Sequence, residues 1–488
     1  MTADAVAVVG AGPVGLTLAL RLSQFGVPVT VLEQAERRRG EGSKALCMQR
    51  ETLESWALLG FGQRVADRGV AWALGRTYFQ DTELFQTALP ATDEHFPPFV
   101  NVSQTEVEAL MVAAAEREPL ITLRWGCTVS AVRVGPDGVR LTGDGLDVTA
   151  RYAVGADGAR SAVRRATGIG FPGHSHADQF LIADIRARLP FPAERRFWFD
   201  PPWNPGRTVL IHPQPEDVWR IDWQVPPEFD LAAEQADGRL DERIRRIVGS
   251  TPYEPVWLTV YRFHQRMAER FRVGRLLLAG DAAHLMSPFG ARGLNSGVGD
   301  AMNLAWRLAA ALADPRRADE LLDAYADERM HAARENLAVT DATMRFMVPE
   351  SDETRAERDA TLRASVHDPE QRARVDSGRL CTPTVYPWAA GRLVGAVLPD
   401  APVQPVRGTA ATRLRELVAT HPVRLHVGVR AREGSDVEVI GLGDGVPPGD
   451  HPVVRDVAGL VAARLGVAPT VVEVRPDGYV EAVRAVVP

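Results

Sequence analysis

The hydrophobic positions at the start of the chain predict a strand, a tight turn, a helix and a second strand. Ala5–Val9 is a continuous apolar run, which is typical of a strand buried on both faces of a parallel sheet. The glycine-rich segment Gly10–Gly15 turns the chain, and Leu16–Phe25 then follows helical periodicity. Val29–Leu32 predicts the second strand. This order indicates a βαβ unit of the dinucleotide-binding type.

The same patterns predict further elements along the chain. Amphipathic or apolar segments of helical length predict helices at Glu51–Leu59, Thr105–Arg117 and Gly299–Leu312. A short apolar run predicts a buried strand at Arg275–Ala279. Turn residues between apolar runs predict hairpins at Pro136–Gly138 and Asp144–Gly145.

Changes in the pattern divide the chain into four parts. Residues 76–100 look irregular, residues 171–261 read as strands, and residues 315–375 predict mostly charged helices with solvated faces. We therefore expect an α/β fold with a Rossmann-type nucleotide-binding domain (1–75, 100–170 and 272–345), a β-sheet domain (76–99 and 171–271), a helical connector (346–390) and a small α/β domain (391–488).

The last part of the chain predicts its own small set of elements. Proline and glycine near Pro387–Pro405 indicate a linker. After it we expect strands and one helix, at Leu425–Val429, Val437–Ile440, a helix near Val454–Leu465, and Thr470–Val474.

The composition of the chain argues against several classes of protein but does not indicate a reaction. The net charge of -7 and the pI near 5.9 argue against a nucleic-acid-binding protein. No signal peptide or membrane-spanning run is apparent, so we expect a cytoplasmic protein without a membrane partner, either a monomer or a homodimer. The three cysteines are far apart and have no metal-ligand spacing, so no metal site is expected.

The glycine turn has the spacing of a dinucleotide site. Gly10 permits the tight turn, Gly12 lets the backbone approach a pyrophosphate, and Gly15 lets the helix pack on the strand. The N-terminus of the following helix offers free N–H groups and the positive end of its dipole, and Pro13 in the turn is a further candidate cofactor contact. Glu33 follows the second strand, next to Gln34, where a carboxylate can bind ribose hydroxyls.

Two later segments repeat the arrangement of polar residues after a strand. Asp157 and Gly158 follow an apolar run beginning at Tyr152, and Gly280 and Asp281 follow the predicted strand at Arg275–Ala279. In an open parallel sheet, ligands bind at the carboxyl ends of the strands.

These segments resemble the single-component FAD-dependent aromatic hydroxylases typified by p-hydroxybenzoate hydroxylase. The stretch from Gly280 to Trp306 is similar to that family throughout, as is Tyr325–Arg329. The tail, with Arg475–Tyr479, resembles the thioredoxin-like domain of the phenol and hydroxyphenylpropionate hydroxylase branch, which includes polyketide hydroxylases. The resemblance implies a glutathione-reductase-like FAD domain and a thioredoxin-like C-terminal domain without cysteines for dithiol chemistry.

The resemblance also implies roles for individual residues. Asp281 should accept a hydrogen bond from the ribityl chain, and Gln104 and Asp157 should lie near FAD. Gly293, Leu294 and Asn295 should present N–H groups to the flavin's pyrimidine edge. Pro288 should pack over the flavin beside the reacting oxygen.

One position departs from the family pattern. Lys44–Ala45 stands where many relatives have Arg-Ala. A lysine keeps the charge and loses the planar fork, so contact with FAD stays plausible while control of flavin movement becomes doubtful.

The β-rich middle segment should form the roof over the flavin. His212, Arg220 and Asp222 are candidate substrate contacts, although a solvated face or an internal ion pair would explain each. On a strand, Arg220 and Asp222 share one face and Trp223 points the other way. The aromatic run Arg196–Phe199 fits a pocket lining or a core equally well.

The resemblance implies a monooxygenase that hydroxylates a phenolic or polyketide-like aromatic small molecule with NAD(P)H and O₂, through a flavin C4a-hydroperoxide. The chain has one dinucleotide fingerprint, so NAD(P)H should bind transiently as a co-substrate. Alternatives are a Baeyer–Villiger insertion or epoxidation on a polyketide, a non-oxygenating FAD oxidoreductase, and a non-catalytic FAD-binding protein.

Overall fold

The computed structural model describes residues 4–38, 40, 42, 45–89, 93–136, 138–387, 393–418, 421–431, 436–466 and 469–486. Lys44 lies outside the described residues. The elements below are numbered along the chain.

The first part of the chain contains eleven strands and four helices among the described residues. They are β1 (Asp4–Val9), α1 (Pro13–Gln24), β2 (Val29–Leu32), β3 (Cys47–Gln49), α2 (Arg50–Leu58), α3 (Gly62–Arg68), β4 (Val70–Ala71), β5 (Leu74–Phe79), β6 (Thr82–Ala88), β7 (Phe99–Asn101), α4 (Gln104–Ala115), β8 (Ile121–Arg124), β9 (Ala131–Val134), β10 (Val139–Gly143) and β11 (Leu146–Gly155).

The middle part is mostly β-structure and leads back to the first sheet. Its elements are α5 (Ala162–Ala166), β12 (Gly173–Arg186), β13 (Arg195–Phe199), β14 (Thr208–Pro213), β15 (Val218–Val225), α6 (Leu231–Asp237), α7 (Arg239–Val248), β16 (Glu254–Met267), β17 (Arg272–Val273), β18 (Leu276–Leu278) and β19 (His284–Leu285).

The last part begins with long helices and ends in a small sheet. Its elements are α8 (Gly293–Ala313), α9 (Ala318–Met347), α10 (Asp352–Ser365), α11 (Pro369–Arg372), β20 (Val403–Arg407), β21 (Val423–Val427), β22 (Val437–Ile440), β23 (Val453–Asp456), α12 (Leu460–Leu465), β24 (Thr470–Val474) and β25 (Val480–Ala485).

The predicted α/β class is confirmed, with a Rossmann-type sheet at its centre. Strands β18, β11, β1, β2 and β8 are parallel neighbours, and their order places distant parts of the sequence side by side. Helices α1 and α8 pack against each other on this sheet. The carboxyl ends of β1, β11 and β18 therefore meet at one edge.

A second sheet covers that edge. Its order is β19-β16-β12-β15-β14-β13-β5-β6, and the long antiparallel pairs of β12 with β15 and β16 form its centre. The expectation of irregular structure over residues 76–100 is wrong for the first half of that range. Thr77, Tyr78 and Phe79 alternate in burial and pair with β6, and Gln80 turns the chain with φ +51.

The C-terminal sheet has the order β20-β23-β22-β21-β24-β25. The predicted helix near Val454–Leu465 is wrong in its first half, because Val453–Asp456 pairs as a strand with β20 and β22. The domain limits and the thioredoxin-like character of this part stay predictions.

A buried cluster of charges joins the C-terminal segment to helices α8 and α9. Arg475 donates to both oxygens of Glu328 over 2.8 and 3.0 Å, and Asp477 accepts from Asn303 over 3.0 Å. Glu328 and Arg329 are 7% and 4% exposed. A solvated helix face over residues 315–375 is therefore wrong for this part of α9, because the C-terminal segment covers it. Among the helices of the described residues, none has the length and apolarity needed to cross a bilayer.

Candidate active site

A cavity of about 400 Å³ lies between the carboxyl edge of the first sheet and the face of the second sheet. Its walls come from the glycine turn, the segment after β18, the start of α8 and five strands of the second sheet. The predicted residues that line it are Gly12, Pro13, Ala45, Gln104, His212, Arg220, Asp222, Asp281, Pro288, Gly293, Leu294 and Asn295. Segments more than 250 residues apart in the chain thus meet in one place.

The three glycines of the turn meet different surroundings. Gly10 has φ +107, and a Cβ there would lie 2.4 Å from the carbonyl oxygen of Ala156. A Cβ on Gly15 would lie 2.0 Å from the carbonyl oxygen of Gly10. A Cβ on Gly12 would meet no atom within 4 Å, so this backbone faces open space at the start of α1.

The acid after β2 supports the turn. Glu33 accepts hydrogen bonds from the backbone N–H of Ala11 and of Ala35, each over 2.9 Å. Gln34 beside it is exposed. Glu33 therefore holds the glycine turn directly as well as lying where a ribose would bind.

The two carboxylate oxygens of Asp157 have different surroundings. Its Oδ2 accepts from the backbone N–H of Ala162 and Val163, at the start of α5, over 2.6 and 3.2 Å. Its Oδ1 is buried and has no hydrogen-bond partner among the described residues. Gly158, the next residue, lines the cavity.

Gln104 connects the cavity to its own helix. Its Oε1 accepts from the N–H of Ala45 over 3.1 Å, and its Nε2 donates to Glu108 over 2.8 Å. Burial raises the pKa of Glu108 above its ordinary value. The Lys44 prediction lies outside the described residues.

The segment after β18 presents polar and apolar groups to the cavity. Asp281 and Pro288 are both exposed there. Ala291 has φ +58, an unusual conformation for a residue with a Cβ, and it begins the tight entry into α8. The side chain of Asn295 bonds to the backbone of Cys47 and Gln49, which fixes the first turn of α8 against β3. The N-terminal N–H groups of α8 therefore face the cavity.

His284 is not a catalytic residue in this arrangement. It is 1% exposed, and its Nε2 donates to Oδ2 of Asp300 over 2.7 Å. This buried pair gives His284 a structural role.

The face of the second sheet forms the opposite wall. Neighbouring strands align His212, Arg220 and Asp184 in one row across the sheet. Arg195 on β13 is close enough for its charge to lower the pKa of His212. The next row contains Leu210, Asp222 and Ile182.

Arg220 forms the internal ion pair that the sequence left open. Its Nε and Nη2 donate to the two oxygens of Asp184, each over 2.8 Å, and Arg220 is 3% exposed. Gln214 also donates to Asp184 over 2.8 Å. The guanidinium is therefore held by a partner that lies 36 residues away in sequence.

Asp222 has neither the ion pair nor the solvated face considered from the sequence. Its Oδ1 is buried without a hydrogen-bond partner among the described residues, and the residue lines the cavity. Burial is the largest cause that raises its pKa to about 7; Arg220 opposes the shift and Asp184 adds to it. Trp223 points to the other face of the sheet, as predicted. It is fully buried there.

His212 is held as a neutral imidazole. Burial, with the charges of Arg195 and Arg220, lowers its pKa well below 6.5. Its Nδ1 lies 3.4 Å from Nδ2 of Asn101, and its ring lies 6.0 Å from that of Trp72. This histidine lines the cavity as a hydrogen-bonding group and carries no charge near neutral pH.

The aromatic run belongs to the core. Phe197 and Phe199 are fully buried, and Trp198 stacks on Tyr78 with ring centroids 4.8 Å apart. The cavity lining instead uses Phe180, Phe263 and Phe289. These rings come from β12, β16 and the segment before α8.

Several residues of the site have no sequence signal of their own. Arg195 lines the cavity, and its Nη2 donates to the backbone oxygen of Ser377. Asp184 fixes Arg220, and Ala291 has an unusual backbone conformation. An aspartate inside an apolar β-run, as in Leu181–Ile185, is the one pattern that could have indicated Asp184.

The expectation that the chain has no metal site rested on the spacing of the cysteines. The described residues contain no group of three or more His, Cys, Asp or Glu arranged to hold a metal ion. All three cysteines are free; Cys47 and Cys381 are buried and Cys127 is partly exposed.

The residues of this cavity fit FAD, the cofactor that the resemblance implies. The open space over Gly12 at a helix start suits a pyrophosphate, which needs close backbone approach and N–H donors. The unpartnered Oδ1 of Asp157 and the exposed Asp281 supply acceptors for hydroxyl groups at the same edge.

Comparison with known proteins adds to this geometry. The profile of the family described as FAD binding domain matches residues 3–340. A 3-(3-hydroxy-phenyl)propionate/3-hydroxycinnamic acid hydroxylase of Mycobacterium sp. (strain JLS) is 34% identical over 376 residues, covering 74% of this chain and 63% of that protein. The chain thus spans less than two thirds of that relative's length.

Two further similarities extend over nearly the whole chain. A dialkyldecalin synthase of Streptomyces rugosporus is 32% identical over 98% of this chain and 95% of its own length. The crystal structure of CabE, an aromatic hydroxylase from angucycline biosynthesis, has a TM-score of 0.71 and 28% identity, covering 99% of this chain and 96% of that one.

Proposed function

The chain belongs to the FAD binding domain family, and on that premise we propose that it is a monooxygenase that hydroxylates an aromatic small molecule. The substrate is a phenol or an aromatic polyketide, and NAD(P)H and O₂ are co-substrates. Each turnover converts one ring C–H to C–OH, reduces the second oxygen atom to water and oxidises one NAD(P)H. The observation that carries the proposal is the single cavity in which the three motif segments face the aromatic-rich sheet.

The chain's own residues bind FAD at the carboxyl edge of the first sheet. The turn from Gly10 to Gly15 and the start of α1 hold the pyrophosphate, and Glu33 binds a ribose while it fixes the turn. Asp281 binds the ribityl chain. The N–H groups of Gly293 to Asn295 stabilise negative charge on the flavin.

Bound FAD supplies the two-electron reduction and the oxygen activation. The protein orients the substrate ring and excludes water from it. Phe180, Phe263 and Phe289 form the apolar part of the wall, and His212 and Asp222 add polar groups at its other end. Pro288 restricts the space between the cofactor and the substrate.

The test is substrate-stimulated oxidation of NADH or NADPH by the purified FAD-loaded protein, over a panel of phenols and aromatic polyketides. One hydroxylated product per nicotinamide, with matching oxygen consumption, supports the proposal. Oxidation of nicotinamide without any oxygenated product would favour a non-oxygenating FAD oxidoreductase instead. A lactone or an epoxide as product would assign a Baeyer–Villiger insertion or an epoxidation to the same cavity.

The full-length similarity to the dialkyldecalin synthase favours a second candidate, a synthase that closes rings without net oxidation. In that case a polyene-type substrate would give a product of equal mass, with no consumption of oxygen or nicotinamide. Mass spectrometry of the product separates the two candidates.

A further inference from the structure

The carboxylate of Asp222 lies on the cavity wall between two apolar side chains. Its cross-strand neighbours are Leu210 on β14 and Ile182 on β12. Oδ1 is buried without a partner among the described residues. Burying a carboxylate without donors is unfavourable, so such a group needs a functional explanation.

The contrast with Asp184 shows that the fold itself does not neutralise Asp222. Asp184 lies one row away. Its carboxylate accepts hydrogen bonds from Nε and Nη2 of Arg220 and from the side-chain amide of Gln214. Arg220 is thus bound to Asp184, although it lies only two residues from Asp222 on the same strand. The missing donor for Asp222 must come from whatever occupies the cavity.

The titratable and charged groups around Asp222 come from every strand of this wall. They are Arg220 on its own strand, Asp184 on β12, Arg195 on β13, His212 on β14 and Tyr261 on β16. Burial lowers the pKa of His212 and raises that of Tyr261. Both are therefore neutral near pH 7. The neutral hydroxyl of Tyr261 is a poor proton acceptor, and the lowered pKa of His212 makes its ring a weaker base than the carboxylate of Asp222.

We propose that Asp222 accepts a hydrogen bond from a ring hydroxyl of the bound aromatic substrate, and accepts its proton as the ring is hydroxylated. The proposal rests on the proposed function and assigns the group that accepts the substrate's proton in that reaction. In the step, the substrate O–H bond breaks, the proton bonds to a carboxylate oxygen, and the electron pair stays on the substrate oxygen. The ring becomes more electron-rich, which favours attack on an electrophilic oxygen. Arg195, which lines the same cavity, supplies positive charge that stabilises the resulting anion.

The charge state of Asp222 sets the sign of the pH dependence. The pKa of Asp222, raised to about 7, means that the carboxylate is protonated at pH 6 and charged at pH 8. A hydroxyl bonds more strongly to a charged acceptor, by about 1 kcal/mol or more. A ligand with a hydroxyl should therefore bind more tightly at pH 8, whereas its O-methyl ether cannot donate and should gain nothing.

The test uses 2-naphthol and its methyl ether, 2-methoxynaphthalene, as probes. Each is titrated into the oxidised FAD-loaded protein without nicotinamide, and binding is measured from the change in the flavin absorption spectrum at pH 6 and pH 8. In the wild type, the preference for the naphthol over the ether should rise by about tenfold between the two pH values. It should stay constant in Asp222→Asn.

Asp217→Asn is the matched control, since Asp217 lies in the turn that joins β14 to β15 and its side chain is 58% exposed. This variant should keep the wild-type change in preference. A preference that does not change with pH in the wild type would overturn the inference, even if Asp222→Asn failed to fold. The same change in Asp222→Asn as in the wild type would also overturn it.

The two proposals fail in different ways. If both probes bind but the preference does not depend on pH, only the role of Asp222 is wrong. If neither probe binds at either pH, and no phenol or aromatic polyketide stimulates nicotinamide oxidation, the aromatic substrate itself is wrong and the inference is overturned with it.

Discussion

Arg329 donates from its Nε to Oδ1 of Asp300 over 2.7 Å, and Asp300 is fully buried. The other oxygen of Asp300 accepts from the backbone N–H of Gly280 over 2.9 Å and from His284 over 2.7 Å. One carboxylate thus connects α9 and α8 to the turn that carries Asp281. The position of a cofactor-facing residue depends on charges that never reach the cavity.

Asp300→Asn should therefore destabilise the protein and loosen this turn. The change leaves the buried guanidinium of Arg329 without its counterion, which typically costs about 3 kcal/mol or more. We expect a lower midpoint of thermal unfolding and a lower FAD content after purification. Asp327→Asn, at an exposed position of the same helix α9, should leave both measurements unchanged. Equal behaviour of the two variants would contradict the role of Asp300.

Alanine at two positions of the glycine turn should have different effects. A Cβ on Gly15 would lie 2.0 Å from a backbone oxygen, so Gly15→Ala should unfold at a lower temperature or yield little soluble protein. A Cβ on Gly12 meets only open space, and its φ of -76 suits alanine. Gly12→Ala should fold normally but bind FAD at least about tenfold more weakly, because the methyl group occupies the pyrophosphate position. Thermal unfolding of the apoprotein and fluorescence titration with FAD measure the two effects separately.

Asp281→Ala should weaken FAD binding without unfolding the protein. Asp281 is exposed to the cavity, so the substitution removes an acceptor from the cofactor and little packing. The loss of one hydrogen bond to a charged group predicts a roughly tenfold rise in the dissociation constant. Flavin content per chain after gel filtration is the measurement, with Asp323→Ala as an exposed control. Unchanged flavin content in Asp281→Ala would count against the assigned contact.

Asp222→Asn should stabilise the ligand-free protein at high pH. Burial raises the pKa of Asp222 from 3.8 to about 7 in the folded state, so the folded protein holds this proton more tightly than the unfolded chain does. The stability that this proton contributes is complete below pH 3.8 and is lost as the pH rises through about 7. At pH 8 the variant should gain up to about 4 kcal/mol over the wild type, and at pH 5 much less. Denaturant unfolding at the two pH values gives the difference, and an equal effect at both would contradict the raised pKa of this half-buried carboxylate.

Local spacing in the sequence determined the nucleotide-binding part of this protein. The strand Val29–Leu32 is confirmed at its predicted limits, and Gly10 and Gly15 have the close contacts that their positions predicted. Such features follow from the sterics of a few consecutive residues, so they are present in the sequence itself. The helix predicted at Gly299–Leu312 begins six residues earlier, at Gly293, because tertiary bonds of Asn295 to β3 hold a first turn that contains glycines.

Only the tertiary structure decided which charges are neutralised. Arg220 and Asp222 are neighbours on one face, yet the register of β12 gives the guanidinium to Asp184 and leaves Asp222 beside Ile182. In the same way, Arg475 near the C-terminus forms a buried ion pair with Glu328 on α9. Pairing between strands and helices distant in sequence depends on register and packing, which the alternation of residues along one segment does not contain. The binding segments could therefore be identified from the sequence, whereas the fold determined that the buried Oδ1 of Asp222 has no partner among the described residues.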